Sequence, residues 1–234
     1  MKVAFAWFAV AVGLASQVLL IGFLLDVAPV GINQGSASSV ATALLFNLSL
    51  LGAFACPHSL MARPAFKRWW RALIPASLQR AVYILISGLL LGLLCLAWQP
   101  MPELLWAVEN PLGRGLIYAG FFAGLGFLFW AIFSIDVLHF HGIHQALDRG
   151  GDPPFAMRGP YRWVRHPIQS GLILALWATP ELSVGHAAFA GVLSVYSVVA
   201  TLRLEERDLV RAIGGPYQRY REQVPALIPR FGRK

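Results

Sequence analysis

Apolar residues in this chain gather in long unbroken runs rather than in the alternating or three-to-four spacing of half-buried elements. Val3 to Leu25 is 23 residues without a formal charge, and about 20 residues rising 1.5 Å each cross a bilayer core. The run reads as a first transmembrane helix. Lys2 in front of it resembles the start of a signal peptide, but the apolar core is too long for one and further spans follow. Val40 to Ala55, Leu78 to Trp98 and Gly115 to Ile135 predict three more spans. Pro100 to Pro111 reads as a plain outside loop. A polar, Pro-rich connection comes next, then Ile168 to Thr179 and His186 to Leu202, with Pro180 and Gly185 marking a tight turn between them. The 12 residues from Ile168 reach only about 18 Å, so this element extends back toward His166 or sits shallow. Arg165 and Arg203 bracket the pair, which therefore begins and ends on one side.

The pattern predicts an all-α polytopic membrane bundle of about six transmembrane helices, closing with a short helical hairpin. It reads as one domain, with a four-helix membrane part over residues 1–135 and a connection, hairpin and C-terminal helix over 136–234.

Composition agrees: 57% of the residues are hydrophobic and 13% charged, against about 25% charged in an ordinary soluble domain. That excludes a disordered chain. The formal charge of +8 would by itself point to nucleic acid, but position decides otherwise. Eighteen of the nineteen Lys and Arg residues fall on alternate connections and at the termini, leaving only Arg114 on the other side. Cytoplasmic loops are the basic ones, so both termini are expected inside, and no nucleic-acid partner is expected. Ala62 to Ile74 mixes basic residues with Trp69 and Trp70 and suits a helix at the headgroup boundary. Cys56 and Cys95 supply neither a disulfide framework nor a paired zinc motif.

Ionisable groups in so apolar a chain are costly and tend to be paired or functional. They cluster late, in DVLHFHGIHQALDRGGDPPFAMRGPYRWVRHP from Asp136 and, after the hairpin, in RLEERDLVRAIGGPYQRYREQVP. His139, His141 and His144 have the residue type of a metal set. On a single helix, however, His139 and His141 would point about 200° apart while His141 and His144 share a face, and no fourth ligand is obvious. No metal site is expected. Gly142, Gly150 and Gly151 permit close backbone approach, and the glycines and prolines of residues 136–158 would let that segment close as a lid. No GxGxxG pattern is present, which excludes a Rossmann nucleotide site.

The run GPYRWVRHP, followed after a hairpin by EERDLVRAIGGPYQRYREQVPALIP, resembles the membrane methyltransferases of the isoprenylcysteine carboxyl methyltransferase superfamily. It looks most like their bacterial methanethiol S-methyltransferase branch, which adjoins the NnrU family. CPHSLMARPAFKRWW, HGIHQ and WATPELSVGH carry the same likeness, so that it spans nearly the whole chain. The resemblance implies a bacterial inner-membrane enzyme with a cytoplasm-facing S-adenosylmethionine pocket and a small thiol as acceptor, turning methanethiol into dimethyl sulfide. By position it implies cofactor contacts from Gln145, Tyr161, His166, Pro167 and Glu205. Two departures stand out: Gln169 occupies the place of a common HPxY tyrosine, and Thr201 that of an arginine assigned to substrate, leaving Arg203 nearby as the substrate candidate.

Residue chemistry is compatible with that reading. A sulfonium is cationic, and carboxylates, amides and aromatic faces are suitable partners for it and for its adenine and amino-acid ends. A free alkyl thiol is mostly protonated at neutral pH, so a proton acceptor is needed; His144, His141 and Glu206 are the candidates. Two further readings stay open. One keeps the cofactor but changes the acceptor to an isoprenoid, lipid or other small molecule. The other is a non-methylating NnrU-like protein of nitrogen-oxide respiration.

Overall fold

The computed structural model describes residues 1–27, 30–35, 38–149 and 157–230. The chain is a multi-span helical bundle, and five of its helices are long and apolar enough to cross a membrane. In chain order the elements are α1 (Lys2–Leu24), α2 (Val40–Met61), α3 (Pro64–Trp70), α4 (Ala76–Leu96), β1 (Leu104–Ala107), α5 (Pro111–Phe133), the short α6 (Val137–Phe140) and α7 (Ile143–Ala146), a 3-10 turn (Gly159–Arg162) and α8 (Pro167–Trp177). Then come β2 (Glu181–Ser183), α9 (Val184–Val199), a π-helical segment (Ala200–Glu205), α10 (Glu206–Ile213) and α11 (Gly215–Gln223).

Two departures from the sequence expectation have local reasons. The last long helix does not stop at Leu202 but runs for 30 residues from Val184 to Ile213. Charge alone does not end a helix; a backbone that leaves helical φ does, and the first such residue is Gly214 at φ +71°. The segment taken as an outside loop holds β1, which pairs antiparallel with β2 and is irregular between Leu104 and Trp106. Four residues between prolines give too short a pattern to read as a strand, and the partner lies far along the chain.

The chain forms two compact units. In the first, comprising Met1–Ala107, Leu138–Asp152 and Glu181–Val192, α4 packs on α1 and α2. The approach of α1 to α4 is close: a Cβ at Gly88 would lie 3.1 Å from the Gly13 Cα. Asn47, buried on α2, clamps the chain after α4 by donating to the Gln99 carbonyl at 2.8 Å and accepting from its amide at 2.9 Å. Such pairing satisfies polar groups that apolar surroundings would otherwise penalise. Phe23, Trp98 and Phe189 meet edge to face or tilted and form a buried aromatic cluster. Ile143 and Ala146 of α7 are buried against Ala6, Ala9, Val10 and Ala81.

In the second unit, Val108–Val137, Pro153–Pro180 and Leu193–Lys234, α8 lies along α5. A Cβ at Gly171 would come within 2.8 Å of the Leu128 amide nitrogen, and one at Gly124 within 2.8 Å of the Gly171 carbonyl. Small residues at such a crossing let helices pack where no hydrophobic effect drives them together. Leu209, Val210 and Ile213 pack on Tyr217, Tyr220 and Val224 and join α10 to α11. Gly171→Ala should therefore destabilise the protein by about 1–3 kcal/mol. Gly191→Ala, where an added Cβ meets nothing within 4 Å, should be neutral or slightly stabilising. Thermal unfolding of the two variants in one detergent checks the contrast.

Candidate functional site

In the second unit the site grows from GPYRWVRHP. Gly159 sits at φ +51°, and a Cβ there would collide with the Ser134 side chain and lie 3.2 Å from the Trp130 indole nitrogen, so glycine fits this turn. The turn sends Val164 inward, leaves Trp163 beside Phe127 and Trp130, and delivers Arg165 and His166 to the start of α8. Pro167 takes the first helical turn, where its missing N–H costs nothing.

The amides just before that helix do not go unpaired. Arg165 N–H donates to the Pro225 carbonyl at 2.9 Å and His166 N–H to that of Ala226 at 3.0 Å. The Ser170 hydroxyl donates to the Leu227 carbonyl at 2.6 Å. Tyr220 donates its phenol proton to the Tyr161 carbonyl at 2.6 Å. The segment after α11 is thus laid along the beginning of α8.

Glu206 is the centre of this arrangement, and only 3% of it is exposed. Its Oε1 accepts from Arg165 Nε at 2.7 Å and from His166 Nε2 at 3.1 Å. Its Oε2 pairs with Arg221 Nε at 3.1 Å. A carboxylate can only accept, so His166 Nε2 carries the proton. Arg165 also donates to the carbonyls of Arg221, at 3.1 Å, and Val224. Both oxygens of Glu206 are therefore engaged.

Its neighbour Glu205 is 43% exposed at the side chain and approaches His166 Nδ1 only to 3.9 Å. Successive helical residues point about 100° apart, and so one carboxylate turns inward and the other outward. The π-helical segment, of which Glu205 is the last residue, is a local departure often found beside functional sites. Arg203 lies on that segment with its surface exposed. Tyr161 is half-buried, and burial together with the Glu205 charge pushes its phenol up to about 12. Burial likewise drives Tyr217 and Tyr220 well above the ordinary tyrosine range, with nearby Glu206 and Tyr217 adding to the respective shifts.

Gln145, His141 and His144 belong to the first unit. The expectation that His141 and His144 share a helix face does not apply, because α6 ends at Phe140 and Gly142 turns the chain at φ +81° before α7 begins. That turn is pressed onto α4: a Cβ at Gly142 would lie 3.0 Å from Arg80 side-chain carbons. Arg80 Nε donates to the Phe140 carbonyl at 2.7 Å, with its guanidinium carbon 5.0 Å from the Phe140 ring centre. Gln145 Nε2 donates to the His139 carbonyl at 3.2 Å, while its buried Oε1 has no protein partner. Among the described residues no group of three or more His, Cys, Asp or Glu is arranged to hold a metal ion. Gly150 and Gly151 lie outside the described residues, as does most of the Pro-rich part of the segment read as a lid.

Of the site residues expected from sequence, His166, Pro167, Glu205 and Glu206 gather at the α8 start and the α9–α10 helix. Tyr161 joins them through Tyr220. Sequence reasoning missed Arg165, Arg221 and Tyr220 as partners. From the sequence Arg165 reads as part of a cationic entry to the hairpin that fixes topology; the signal for its pairing is that a buried glutamate requires a cation.

No family model and no solved structure matches the chain. Curated proteins do. A methanethiol S-methyltransferase of a Pseudomonas species is 41% identical over 223 residues, covering 93% of this chain and 85% of that one. The Mycobacterium tuberculosis methanethiol S-methyltransferase is 40% identical over 215 residues, 89% of this chain and 88% of the relative. That of Pseudomonas deceptionensis is 39% identical over 210 residues, 88% and 80%. At this identity over most of both lengths, the chain belongs to the methanethiol S-methyltransferase family.

Proposed function

We propose that the chain methylates methanethiol, or a similar small thiol, with S-adenosylmethionine as donor, giving dimethyl sulfide or the corresponding thioether. The observation that carries this reading is the match to methanethiol S-methyltransferases over 93% of the chain. The cofactor, when bound, supplies an electrophilic methyl group on a cationic sulfonium.

The chain's own residues fit that group in chemical type. Gln145 has a buried oxygen with no protein partner, available to an amino or adenine N–H. Glu205 offers a half-exposed carboxylate, and Trp163, 53% exposed, an aromatic face for a cation. Tyr161 keeps its proton and serves as a donor. His166 and Pro167 fix the α8 start, just after Tyr161 and Trp163. In-line displacement needs alignment more than covalent chemistry, and the ties at Glu206 supply rigidity for it.

The thiol proton has to leave before sulfur attacks. His144 and His141 are the acceptors we favour; with Oε1 and Oε2 both held, Glu206 acts instead as a positioning residue. Arg203 is the candidate for steering the thiolate. An isoprenoid or lipid acceptor is the second reading, and the apolar surface of the bundle is compatible with it.

For topology we propose six crossings, with α8 and α9 as the final hairpin, both termini and the cofactor pocket on the cytoplasmic side of a bacterial inner membrane, and a single catalytic domain over residues 1–234. Support comes from the distribution of basic residues along the chain. Methanethiol reaches such an enzyme through lipid as readily as through water, since it is small and apolar.

Membranes containing the protein, given methyl-labelled S-adenosylmethionine and methanethiol, should release labelled dimethyl sulfide into the headspace. Cofactor binding without any label transfer would hand the assignment to the isoprenoid or lipid acceptor; no cofactor binding at all would sink both. With the Tyr161 phenol pushed up to about 12, the neutral form persists past the ordinary tyrosine value of about 10. The kcat/KM profiles of wild type and Tyr161→Phe should therefore run parallel to about pH 10. An alkaline limb below that pH in the wild type alone would contradict the donor role.

A further inference from the structure

Beside the Glu206 ties the second unit contains an open surface cavity of about 280 Å³, lined by Leu202, Glu206, Arg207, Val210, Arg211 and Arg221. None of the residues assigned above to the cofactor lines it. Three arginines and one carboxylate line it, and that carboxylate is already paired with Arg221 through Oε2 and with the buried Arg165 through Oε1. The cavity wall therefore carries an excess of positive charge. Arg207 and Arg211 stand four residues apart on α10, a like-charge spacing that weakens a helix unless an anion lies between. Arg207 Nε lies 3.9 Å from a carboxylate oxygen of Asp208. Leu202 and Val210 give the same cavity an apolar edge.

Its place in the chain adds to the argument. The 184–213 helix is apolar as far as Leu202 and charged from Arg203 onward, so the cavity lies where this helix passes from lipid to water. A cationic wall joined to an apolar edge at that depth matches a phosphate carried on an acyl glycerol. Guanidiniums suit phosphate because their forked N–H groups bind two oxygens at once. We propose that this cavity binds the headgroup of an anionic phospholipid, whose phosphate bridges Arg207 and Arg211 of α10 to Arg221 of α11. Because Arg221 also holds Glu206, the lipid braces the same helix pair that the Glu206 ties secure.

The test uses the full chain purified in detergent and equilibrated with mixed micelles of phosphatidylglycerol and phosphatidylcholine, with retained lipid measured by native mass spectrometry. Wild type should retain phosphatidylglycerol in preference to phosphatidylcholine. Each basic group near an anionic lipid surface contributes about 1 kcal/mol, or roughly five-fold, so Arg207→Gln/Arg211→Gln should retain about 25-fold less. Arg68→Gln/Arg71→Gln, which removes the same charge from the separate α3 region, should keep the wild-type value. Equal loss in both double variants would mean diffuse attraction only and overturn the proposal. So would equal retention of the two lipids by wild type, an outcome that needs no variant to fold. Displacement of the lipid by millimolar inorganic phosphate would make this a free-anion site, and displacement by S-adenosylhomocysteine would give the cavity to the cofactor; either overturns the lipid assignment. Lipid retention is read without turnover, so the result is independent of the proposed methyl transfer.

Discussion

A carboxylate buried to 3% exposure has to be neutralised where it stands, and Glu206 accomplishes this by gathering Arg165, His166 and Arg221 around its two oxygens. The consequence reaches beyond one ion pair. Arg165 and His166 come immediately before α8, Glu206 begins α10, and Arg221 lies on α11, so a single anion fixes the relation of three helices within the second unit. Removing one partner of such a buried arrangement costs about 3–5 kcal/mol, mainly because the others remain buried and unbalanced. That is a large share of the stability of any domain.

Around this centre the remaining features act to make the geometry unique. Backbone amides of Arg165 and His166 bond to Pro225 and Ala226, and Tyr220 bonds to Tyr161, so that the C-terminal segment can lie in only one register. Glycines at positions 124 and 171 let α5 and α8 approach closely. Glu205 is left as the accessible carboxylate because Glu206 is consumed by structure. Two adjacent glutamates thereby have different surroundings, set by which face of the helix each occupies.

Much of this was legible in the sequence, and the reasons for what was not are specific. Long apolar runs marked the five helices long enough to cross a membrane, since 23 uncharged residues in a row are unusual for a soluble chain. RHP and EE stood out because ionisable groups are rare in so apolar a chain, and the structure brings those residues together. Their difference in burial was hidden: the pattern EE does not say which carboxylate faces inward until the π-helical segment and the Arg165 contact are known. The extension of the last helix to Ile213 was hidden by reading charge as a stop, when only Gly214 supplies one. The β1–β2 pair was hidden because its register depends on residues distant in sequence. The face shared by His141 and His144 failed for the converse reason, a single glycine that breaks a periodicity which looked continuous.

The central claim is that the Glu206 charge holds the C-terminal segment against the start of α8. Amide hydrogen exchange of residues 161–170 in wild type and Glu206→Gln tests it directly, with the peptides of α1 and α4 as internal reference. Loss of about 3 kcal/mol of local stabilisation predicts roughly 100-fold faster exchange at Arg165 and His166 and little change in the reference peptides. Unchanged protection at those two amides in a folded Glu206→Gln protein would contradict the account.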